Sequence, residues 1–237
     1  MNARPQVPLP TAAVTVAPHT AVRRGRAADL VERIGFLGFL AIFGLVRARR
    51  SDAIDLAVTV KIQRWKLPWL GGLMEAISWP GFPPQSRVIP GAIVTLLVVA
   101  WLPLEAVAMI GAWGTALVAT FVKDLMRRPR PVAGVDVRVI AAPLGGSSFP
   151  SGHTITYVGV YGFAAYLAHT LLRPTWLRGI VTAPLVALVA LVGPSRVYQG
   201  HHWFSDVSAS YLLGLSYLIG LTRLYRTWKA RGTSEQP

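Results

Sequence analysis

The segment 195–206, which reads S-R-V-Y-Q-G-H-H-W-F-S-D, carries a set of side chains suited to chemistry. His202 and Asp206 are four residues apart, so on a helix their side chains would share one face. A neighbouring carboxylate can hold an imidazole in one tautomer and make it a better nucleophile or base. Arg196 adds a permanently charged, planar group that suits a phosphate.

Two earlier polar segments carry groups of the same kind. Residues 123–131 read K-D-L-M-R-R-P-R-P, and residues 150–153 read P-S-G-H. Transfer of a phosphoryl group spreads negative charge over three equatorial oxygens, and the basic side chains of these segments are of the kind that can stabilise it. Gly152 would allow close backbone approach, and a helix that starts near Ser151 would direct free amides at the anion.

The composition indicates that these segments lie between membrane helices. The chain has 237 residues, of which 53% are hydrophobic and 14% charged, well below the roughly 25% charged of a soluble protein. It has no cysteine, which excludes disulfides and thiolate metal sites. The net charge of +14 comes from basic residues that flank apolar runs. This pattern favours anionic lipid head groups over nucleic acid as the partner.

Six apolar runs predict an all-α integral membrane helical bundle of about six transmembrane helices. They cover residues 34–46, 88–104, 106–122, 154–172, 179–193 and 207–222. The first run is shorter than the roughly 20 residues that a spanning helix needs. Residues 51–87 mix charges with aromatic residues, and they predict an amphipathic interfacial segment between the first two spanning helices. A solvated loop is the alternative there.

The order of the runs also predicts the domain organisation. We expect a disordered, basic tail over residues 1–33, one membrane domain over 34–225 and a second tail over 226–237. With six spans both termini share one side, so the three polar segments meet at the opposite membrane face. Lysine and arginine are almost balanced between the two faces, so their distribution does not indicate the orientation.

The three polar segments match the signature motifs K-x6-R-P, P-S-G-H and S-R-x5-H-x3-D, in order and without insertion. In this respect the chain resembles the type 2 phosphatidic acid phosphatase family over roughly residues 78–222. The resemblance implies a six-helix membrane phosphatase that needs no metal or other cofactor and forms a phosphohistidine intermediate. It also implies a fold shared with the soluble vanadium haloperoxidases.

The resemblance implies a role for each motif residue. His202 would attack phosphorus, Asp206 would hydrogen-bond to His202 and orient it, and His153 would protonate the leaving oxygen. The phosphoryl oxygens would be held by Lys123, Arg130, Arg196, the Ser151 hydroxyl and the Gly152 amide.

Several motif residues have simpler structural interpretations. Lys123 could extend to the membrane interface, and Ser151 and Asp206 could cap helices. His201 is one residue out of register with the motif and is interpreted as a neighbour of the site. Arg127 and Arg128 occupy variable positions of the first motif and are expected to add affinity for a head group.

These observations predict a metal-independent hydrolase of lipid phosphates or diphosphates in the cell membrane. The family suggests a polyprenyl diphosphate such as undecaprenyl diphosphate, which we favour slightly, phosphatidic acid or phosphatidylglycerol phosphate as substrate. It also implies a site on the extracytoplasmic face. One alternative is a phosphotransferase that passes the phosphate to a lipid or sugar, and another is a non-catalytic lipid-binding or transport protein. The sequence does not indicate the oligomeric state.

Overall fold

The computed structural model describes residues 18–134, 137–140 and 145–234, and within these residues it contains helices and no strand. The helices are α1 (Pro18–Arg47), α2 (Asp52–Gln63), α3 (Leu70–Ser78), α4 (Gln85–Val99), α5 (Pro103–Trp113), α6 (Thr115–Met126), α7 (Gly152–Leu171), α8 (Thr175–Tyr198) and α9 (Phe204–Ser234). A single 3-10 turn, Trp79–Gly81, joins α3 to the segment that precedes α4. The predicted all-helical class is therefore confirmed for the described residues.

Helix α7 lies at the centre of the bundle, where it packs against α5, α6, α8 and α9. Its side chains Ile155, Val160 and Phe163 are fully buried. A Cβ atom on Gly159 would lie 2.4 Å from the Ala112 carbonyl oxygen, so only glycine allows α7 to approach the end of α5 this closely. This close crossing fixes the position of α7 relative to the α5–α6 pair.

Three helical units are long and apolar enough to cross a membrane in the described part of the chain. They are Pro103–Met126, which joins α5 and α6, Thr175–Tyr198 and Phe204–Arg231. The pair Leu70–Gly81 and Gln85–Val99, bent by 59°, would make a fourth if it counts as one span. The structure thus supports a multi-pass membrane protein. In the described residues, however, fewer than the predicted six helical units are long and apolar enough to span a membrane.

Burial explains why the central helix α7 is not among these spans. Neighbouring helices rather than lipid surround it, so its faces can carry polar and small residues such as Tyr157, Gly159 and Tyr161. Helix α8 shows the opposite pattern, because Trp176, Ile180 and Val186 are more than half exposed. Large apolar side chains exposed along one helix in this way are expected to contact lipid.

The second and third apolar runs, residues 88–104 and 106–122, correspond to α4 and to the α5–α6 pair, and α4 packs against α5. The break lies at residues 100–102, because α4 ends at Val99 and α5 begins at Pro103. Proline at the first position of a helix is favourable, since the missing N–H would have no intrahelical partner there. The predicted second span therefore ends several residues earlier than expected.

Residues 51–87 form two α-helices, a 3-10 turn and the start of α4. Leu56 and Trp65, which loosely favour one face of the predicted amphipathic segment, are 42% and 64% exposed, and the position of this segment at the membrane interface remains a prediction. The buried side chains of α2 are Asp55, Thr59 and Gln63, which follow one another at four-residue spacing. Polar residues face inward here because charged groups and backbone carbonyls from other segments lie beneath them.

The helices at the two ends of the chain are longer than predicted. Residues 18–33, where a disordered, basic tail was expected, belong to α1, and residues 226–234, where a C-terminal tail was expected, belong to α9. Two acidic side chains of α1 help to join these helices, since Arg223 Nη2 of α9 lies 2.5 Å from Asp29 and 3.0 Å from Glu32. Residues 1–17 of the predicted tail lie outside the described residues, and the division into domains remains a prediction.

Candidate active site

The three polar segments meet at one end of the bundle, around a cavity of about 880 Å³. The end of α6, the starts of α4 and α7, and the loop between α8 and α9 contribute to its wall. Five of the predicted site residues line it: Lys123, Arg130, Gly152, His153 and His202. The other three, Ser151, Arg196 and Asp206, are fully buried behind this wall.

The hydrogen bonds of His202 define its tautomer. Its Nδ1 lies 2.7 Å from the carbonyl oxygen of Ser148, which can only accept a hydrogen bond. Its Nε2 lies 3.2 Å from Arg130 Nη1, which can only donate one. Both neighbours therefore require a proton on Nδ1 and a lone pair on Nε2. His202, which carries this lone pair, lines the cavity.

Burial also keeps the His202 ring neutral. The loss of hydration, reinforced by the positive charges of Arg130, Arg196 and Lys123, lowers the pKa of His202 well below its usual value. A neutral imidazole retains its lone pair, so Nε2 is nucleophilic at neutral pH.

Asp206 does not make the hydrogen bond to His202 that the resemblance implied. The distance from Asp206 Oδ2 to His202 Nδ1 is 3.6 Å, and the Ser148 carbonyl takes the position of the acceptor. Asp206 Oδ2 instead accepts from the Ser148 hydroxyl at 2.5 Å and from the backbone N–H of Trp203 at 2.8 Å. The carboxylate therefore positions the residue whose carbonyl holds His202.

Arg128 is part of this arrangement, although its position in the sequence suggested only a contribution to head-group affinity. Its side chain is buried, and Nη1 donates to Asp206 Oδ1 at 2.6 Å while Nη2 donates to Asp55 Oδ2 at 2.7 Å. Burial alone would lower the pKa of Arg128, but the charges of Asp206 and Asp55 outweigh it and raise that pKa. The sequence did not identify Arg128 and Asp55 as residues of the site, because no local pattern links residues that are 73 positions apart in the chain.

Two of the three predicted phosphate-binding cations lie against backbone carbonyls beside the cavity. Lys123 Nζ donates to the Ser147 carbonyl oxygen at 3.2 Å. Arg130 donates to the same oxygen at 3.2 Å and to the His201 carbonyl at 2.8 Å. These bonds hold both cations close together on the cavity wall, beside His202.

The third cation, Arg196, is fully buried and held by neutral groups. Its Nη1 donates to Gln199 Oε1 at 2.9 Å, and its Nη2 lies 2.5 Å from His201 Nδ1. Phe82 covers the guanidinium, with the charged carbon 5.0 Å from the ring centre. His201 is therefore more than a neighbour of the site, because its ring contacts Arg196 and its carbonyl accepts from Arg130.

His153 lies between the cavity and the turn that follows α3. Its ring meets the Phe82 ring edge-on at 4.6 Å. A Cβ atom on Gly81 would lie 2.2 Å from His153 Cδ2, so the turn must have glycine at this position. No group of the described residues hydrogen-bonds to the buried Nε2 of His153. That nitrogen therefore has a hydrogen-bonding capacity that no described residue uses.

Ser151 caps α7 in this structure. Its Oγ accepts from the Thr154 backbone N–H at 3.4 Å and from the Thr154 hydroxyl at 3.0 Å, while its own N–H donates to Ser210 Oγ at 2.8 Å. Gly152 follows in the first turn of α7 and lines the cavity. The helix start therefore faces the cavity through Gly152, whereas a phosphate contact from the Ser151 hydroxyl remains a prediction.

Within the described ranges, no group of three or more histidine, cysteine, aspartate or glutamate side chains is arranged to hold a metal ion. The cavity wall offers cations, two histidines and a helix start, which together favour an anion. A helical membrane bundle with such a cavity at one end is suited to a membrane enzyme that acts on an anionic substrate. The match of residues 99–230 to the PAP2 superfamily model then identifies the family. The chain belongs to the PAP2 superfamily and is a phosphatase.

Comparisons with known proteins agree with this assignment. The chain is 30% identical over 188 residues to phosphatidylglycerophosphatase B of Bacillus subtilis, a match that covers 76% of this chain and 87% of the relative. It is 34% identical over 128 residues to an undecaprenyl-diphosphatase of Sulfolobus acidocaldarius, which covers 48% of this chain and 58% of that relative.

Two solved structures have the same fold. The crystal structure of a transmembrane PAP2-type phosphatidylglycerolphosphate phosphatase from Bacillus subtilis matches with a TM-score of 0.68 and 25% identity, over 83% of this chain and 96% of that one. The structure of LpxE from Aquifex aeolicus matches with a TM-score of 0.56 and 18% identity, over 72% of this chain and 95% of that one. The second likeness concerns the fold alone.

Proposed function

We propose that this protein hydrolyses a phosphate or diphosphate ester of a membrane lipid through a phosphohistidine on His202, without a metal. The observation that carries the proposal is the hydrogen bonding of His202. Nδ1 is held by the Ser148 carbonyl, and Nε2 retains its lone pair beside Arg130 on the cavity wall. A nucleophile with a fixed tautomer and a cation beside it is suited to in-line attack on phosphorus.

In the first step, Arg130 Nη1 gives up its hydrogen bond to His202 Nε2, and the freed lone pair forms a bond to phosphorus while the bond from phosphorus to the leaving oxygen breaks. Lys123 and Arg130 on the cavity wall stabilise the charge on the equatorial oxygens, and the positive charge of the buried Arg196 adds to this from behind the wall. The leaving oxygen takes a proton from His153 Nε2. The negative charge of the bound phosphate favours the protonated form of His153 that this step requires.

In the second step, water attacks the phosphohistidine from the side that the leaving group vacated. His153 accepts a proton from this water, and the bond between phosphorus and nitrogen breaks so that the electron pair returns to His202 Nε2. Phosphate then leaves, and both histidines have regained their starting states.

The shape of the cavity supports a lipid substrate. Away from the histidines its wall is formed by apolar residues of α4, α5 and α6, among them Pro90, Ile110, Trp113 and Leu117. Leu117 is 76% exposed, so this wall continues onto a surface that lipid would cover. An acyl or prenyl chain could remain in the bilayer while its phosphate reaches the cations.

We propose phosphatidylglycerol phosphate as the first substrate to test, because the relative named for that activity covers 76% of this chain. Undecaprenyl diphosphate, which we favoured slightly from the sequence, is second, since the relative named for it covers 48%. Phosphatidic acid completes the panel.

The proposal is tested by measuring phosphate release from this panel with purified protein in detergent and EDTA. We expect turnover by the wild type and a loss of about 10⁴-fold or more in His202→Ala, since removal of a nucleophile abolishes the covalent step. His169→Ala is the matched control, because His169 is exposed in the last turn of α7, far from the cavity. It should retain wild-type rates.

Rapid quenching under alkaline conditions with a labelled substrate should trap label on the wild type and none on His202→Ala. Turnover that stops in EDTA, or that survives in His202→Ala, would contradict the proposed mechanism. An added lipid or sugar alcohol separates hydrolysis from transfer, because a phosphotransferase would form a new phosphate ester in place of free phosphate.

A further inference from the structure

A buried ionic network lies behind the catalytic histidine, on the side away from the cavity. Its centre is Arg128, which is 9% exposed. Nη1 of Arg128 donates to Asp206 Oδ1 at 2.6 Å and to Ser205 Oγ at 2.8 Å. Nη2 donates to Asp55 Oδ2 at 2.7 Å. The guanidinium therefore bridges two buried carboxylates with both of its terminal nitrogens.

The second carboxylate, Asp55, joins helix α2 to the start of α9. Asp55 Oδ1 accepts from the Ser205 backbone N–H at 2.7 Å, and Oδ2 accepts from the Ser205 hydroxyl at 2.7 Å. Asp55 is 1% exposed, so all of its charge must be compensated by protein groups. This is the reason why α2 presents a polar face to the bundle.

The network reaches His202 through a short chain of contacts. Arg128 holds Asp206, whose Oδ2 accepts from the Ser148 hydroxyl at 2.5 Å, and the Ser148 carbonyl accepts from His202 Nδ1 at 2.7 Å. Asp206 Oδ2 is itself 3.6 Å from Nδ1. A displacement or a change of charge at Arg128 would therefore alter both the position and the proton affinity of the histidine.

We propose that Arg128 and Asp55 are positioning residues of the phosphatase reaction, which hold Asp206 and Ser148 so that Ser148 fixes the His202 ring. The inference rests on the proposed role of His202 as nucleophile. Arg128 and Asp55 do not touch the phosphate. They set the geometry and the electrostatic environment of the group that does.

Arg128 and Asp55 carry opposite charges, so neutralising one or the other should shift the pH dependence of the reaction in opposite directions. The active form has a neutral His202 beside an ionised Asp206, so a proton bound by either residue inactivates the enzyme. The two side chains titrate as a pair at this distance. Loss of the positive charge of Arg128 makes the pair bind a proton more readily, whereas loss of the negative charge of Asp55 makes it bind a proton less readily.

Other charged or titratable groups face the pair and stay unchanged in this comparison. They are Lys123 on α6, Arg130 in the loop after α6, His153 on α7, Arg196 on α8 and His201 in the loop before α9. We expect the acid limb of the pH profile, the fall of kcat/KM at low pH, to lie below the usual histidine pKa in the wild type, because burial and these cations disfavour protonation of His202.

The test is the pH dependence of kcat/KM for phosphate release by the full-length protein. In Arg128→Gln we expect the acid limb to move to higher pH by about one unit, with a lower kcat. In Asp55→Asn the limb should move to lower pH by a smaller amount, since Asp55 is farther from His202. Arg128→Lys keeps the charge, so its limb should stay near that of the wild type although the two-sided bridge is lost.

Arg127→Gln is the matched control, because it removes the neighbouring arginine of the same motif. Arg127 is exposed, and its Nε donates only to the nearby Asp124 carbonyl oxygen among the bonds that the described residues show for this side chain. Its acid limb should coincide with that of the wild type.

If the acid limbs of all four variants coincide with that of the wild type, the proposal is overturned. The network would then have only a structural role. If Arg128→Gln does not fold, the shift in Asp55→Asn and its absence in Arg128→Lys decide the question. An inactive wild type, or activity in His202→Ala, would instead refute the proposed function itself, so the two failures can be told apart.

Discussion

The orientation of His202, the proposed nucleophile, depends on a backbone carbonyl. His202 Nδ1 donates to the Ser148 carbonyl oxygen, and the carboxylate of Asp206 acts one step removed, through the Ser148 hydroxyl. A neutral acceptor fixes the tautomer without adding a full negative charge at hydrogen-bond distance. The ring is therefore held in place while the surrounding cations keep it unprotonated.

The second histidine depends on the absence of a side chain at Gly81. In Gly81→Ala the new Cβ would lie 2.2 Å from His153 Cδ2 and 2.7 Å from Nε2, so the ring must move. Because a displaced His153 could not fill its proposed role as the acid that protonates the leaving oxygen, we expect kcat for an alkyl phosphate to fall about 10²-fold or more. An aryl phosphate, whose leaving group needs no proton, should lose much less.

Steady-state rates on both substrates test this prediction, with Gly72→Ala as the control. A Cβ on Gly72, in the preceding helix α3, would have no atom within 4 Å. Equal losses on the alkyl and the aryl phosphate would show that Gly81 does not act through the acid.

At the scale of the helices, close crossings place the site residues. Helix α7 carries His153 in its first turn and crosses the end of α5 at Gly159. Helix α3 is tied to the third motif by the hydroxyls of Ser78 and Ser195, which are 2.8 Å apart. These fixed crossings keep the ends of separate helices aligned around one cavity.

Gly159→Ala should destabilise the bundle by about 1–3 kcal/mol, because its Cβ would overlap the Ala112 carbonyl and force α7 away from α5. Thermal unfolding in detergent, followed by circular dichroism, measures the effect. Gly91→Ala, at a helix position of α4 with no atom within 4 Å of the new Cβ, should not lower the melting temperature. A melting temperature for Gly159→Ala equal to that of the wild type would contradict the close-crossing argument.

The molecule as a whole has two chemically different ends. The cavity, its cations and the network of Arg128 occupy one end. At the other end Glu105, which is 4% exposed, accepts from Lys229 at 2.6 Å and from Tyr225 at 2.8 Å, and so joins α5 to α9. Exposed apolar side chains cover the helices between these ends, as expected for a bilayer-spanning bundle.

We expect the cavity end to face the outside of the cell, as the family resemblance implies, and the absence of cysteine in the chain gives a direct test. Arg127→Cys places a thiol at the cavity end, and Arg173→Cys places one in the loop between α7 and α8 at the other end. A membrane-impermeant maleimide should label Arg127→Cys in intact cells and Arg173→Cys only after lysis. The reverse pattern would place the site in the cytoplasm.

The amino-acid sequence by itself determined the features that depend on local pattern. Long apolar runs indicated membrane helices, and the motif spacings indicated the PAP2 family, which the family match to residues 99–230 confirms. The alternation of the runs also indicated that Lys123, His153 and His202 belong to one end of the bundle. Hydropathy and spacing are properties of neighbouring residues, so they are readable without a structure.

The tertiary structure decided which groups touch. The acceptor for His202 is the carbonyl of a residue 54 positions earlier, and Arg128 pairs with an aspartate 73 positions away, on the polar buried face of α2. Such pairs form because helix packing brings distant segments within hydrogen-bond distance in a buried, poorly hydrated interior, where each charge requires a partner. No local pattern encodes that requirement, so only the folded chain shows how it is met.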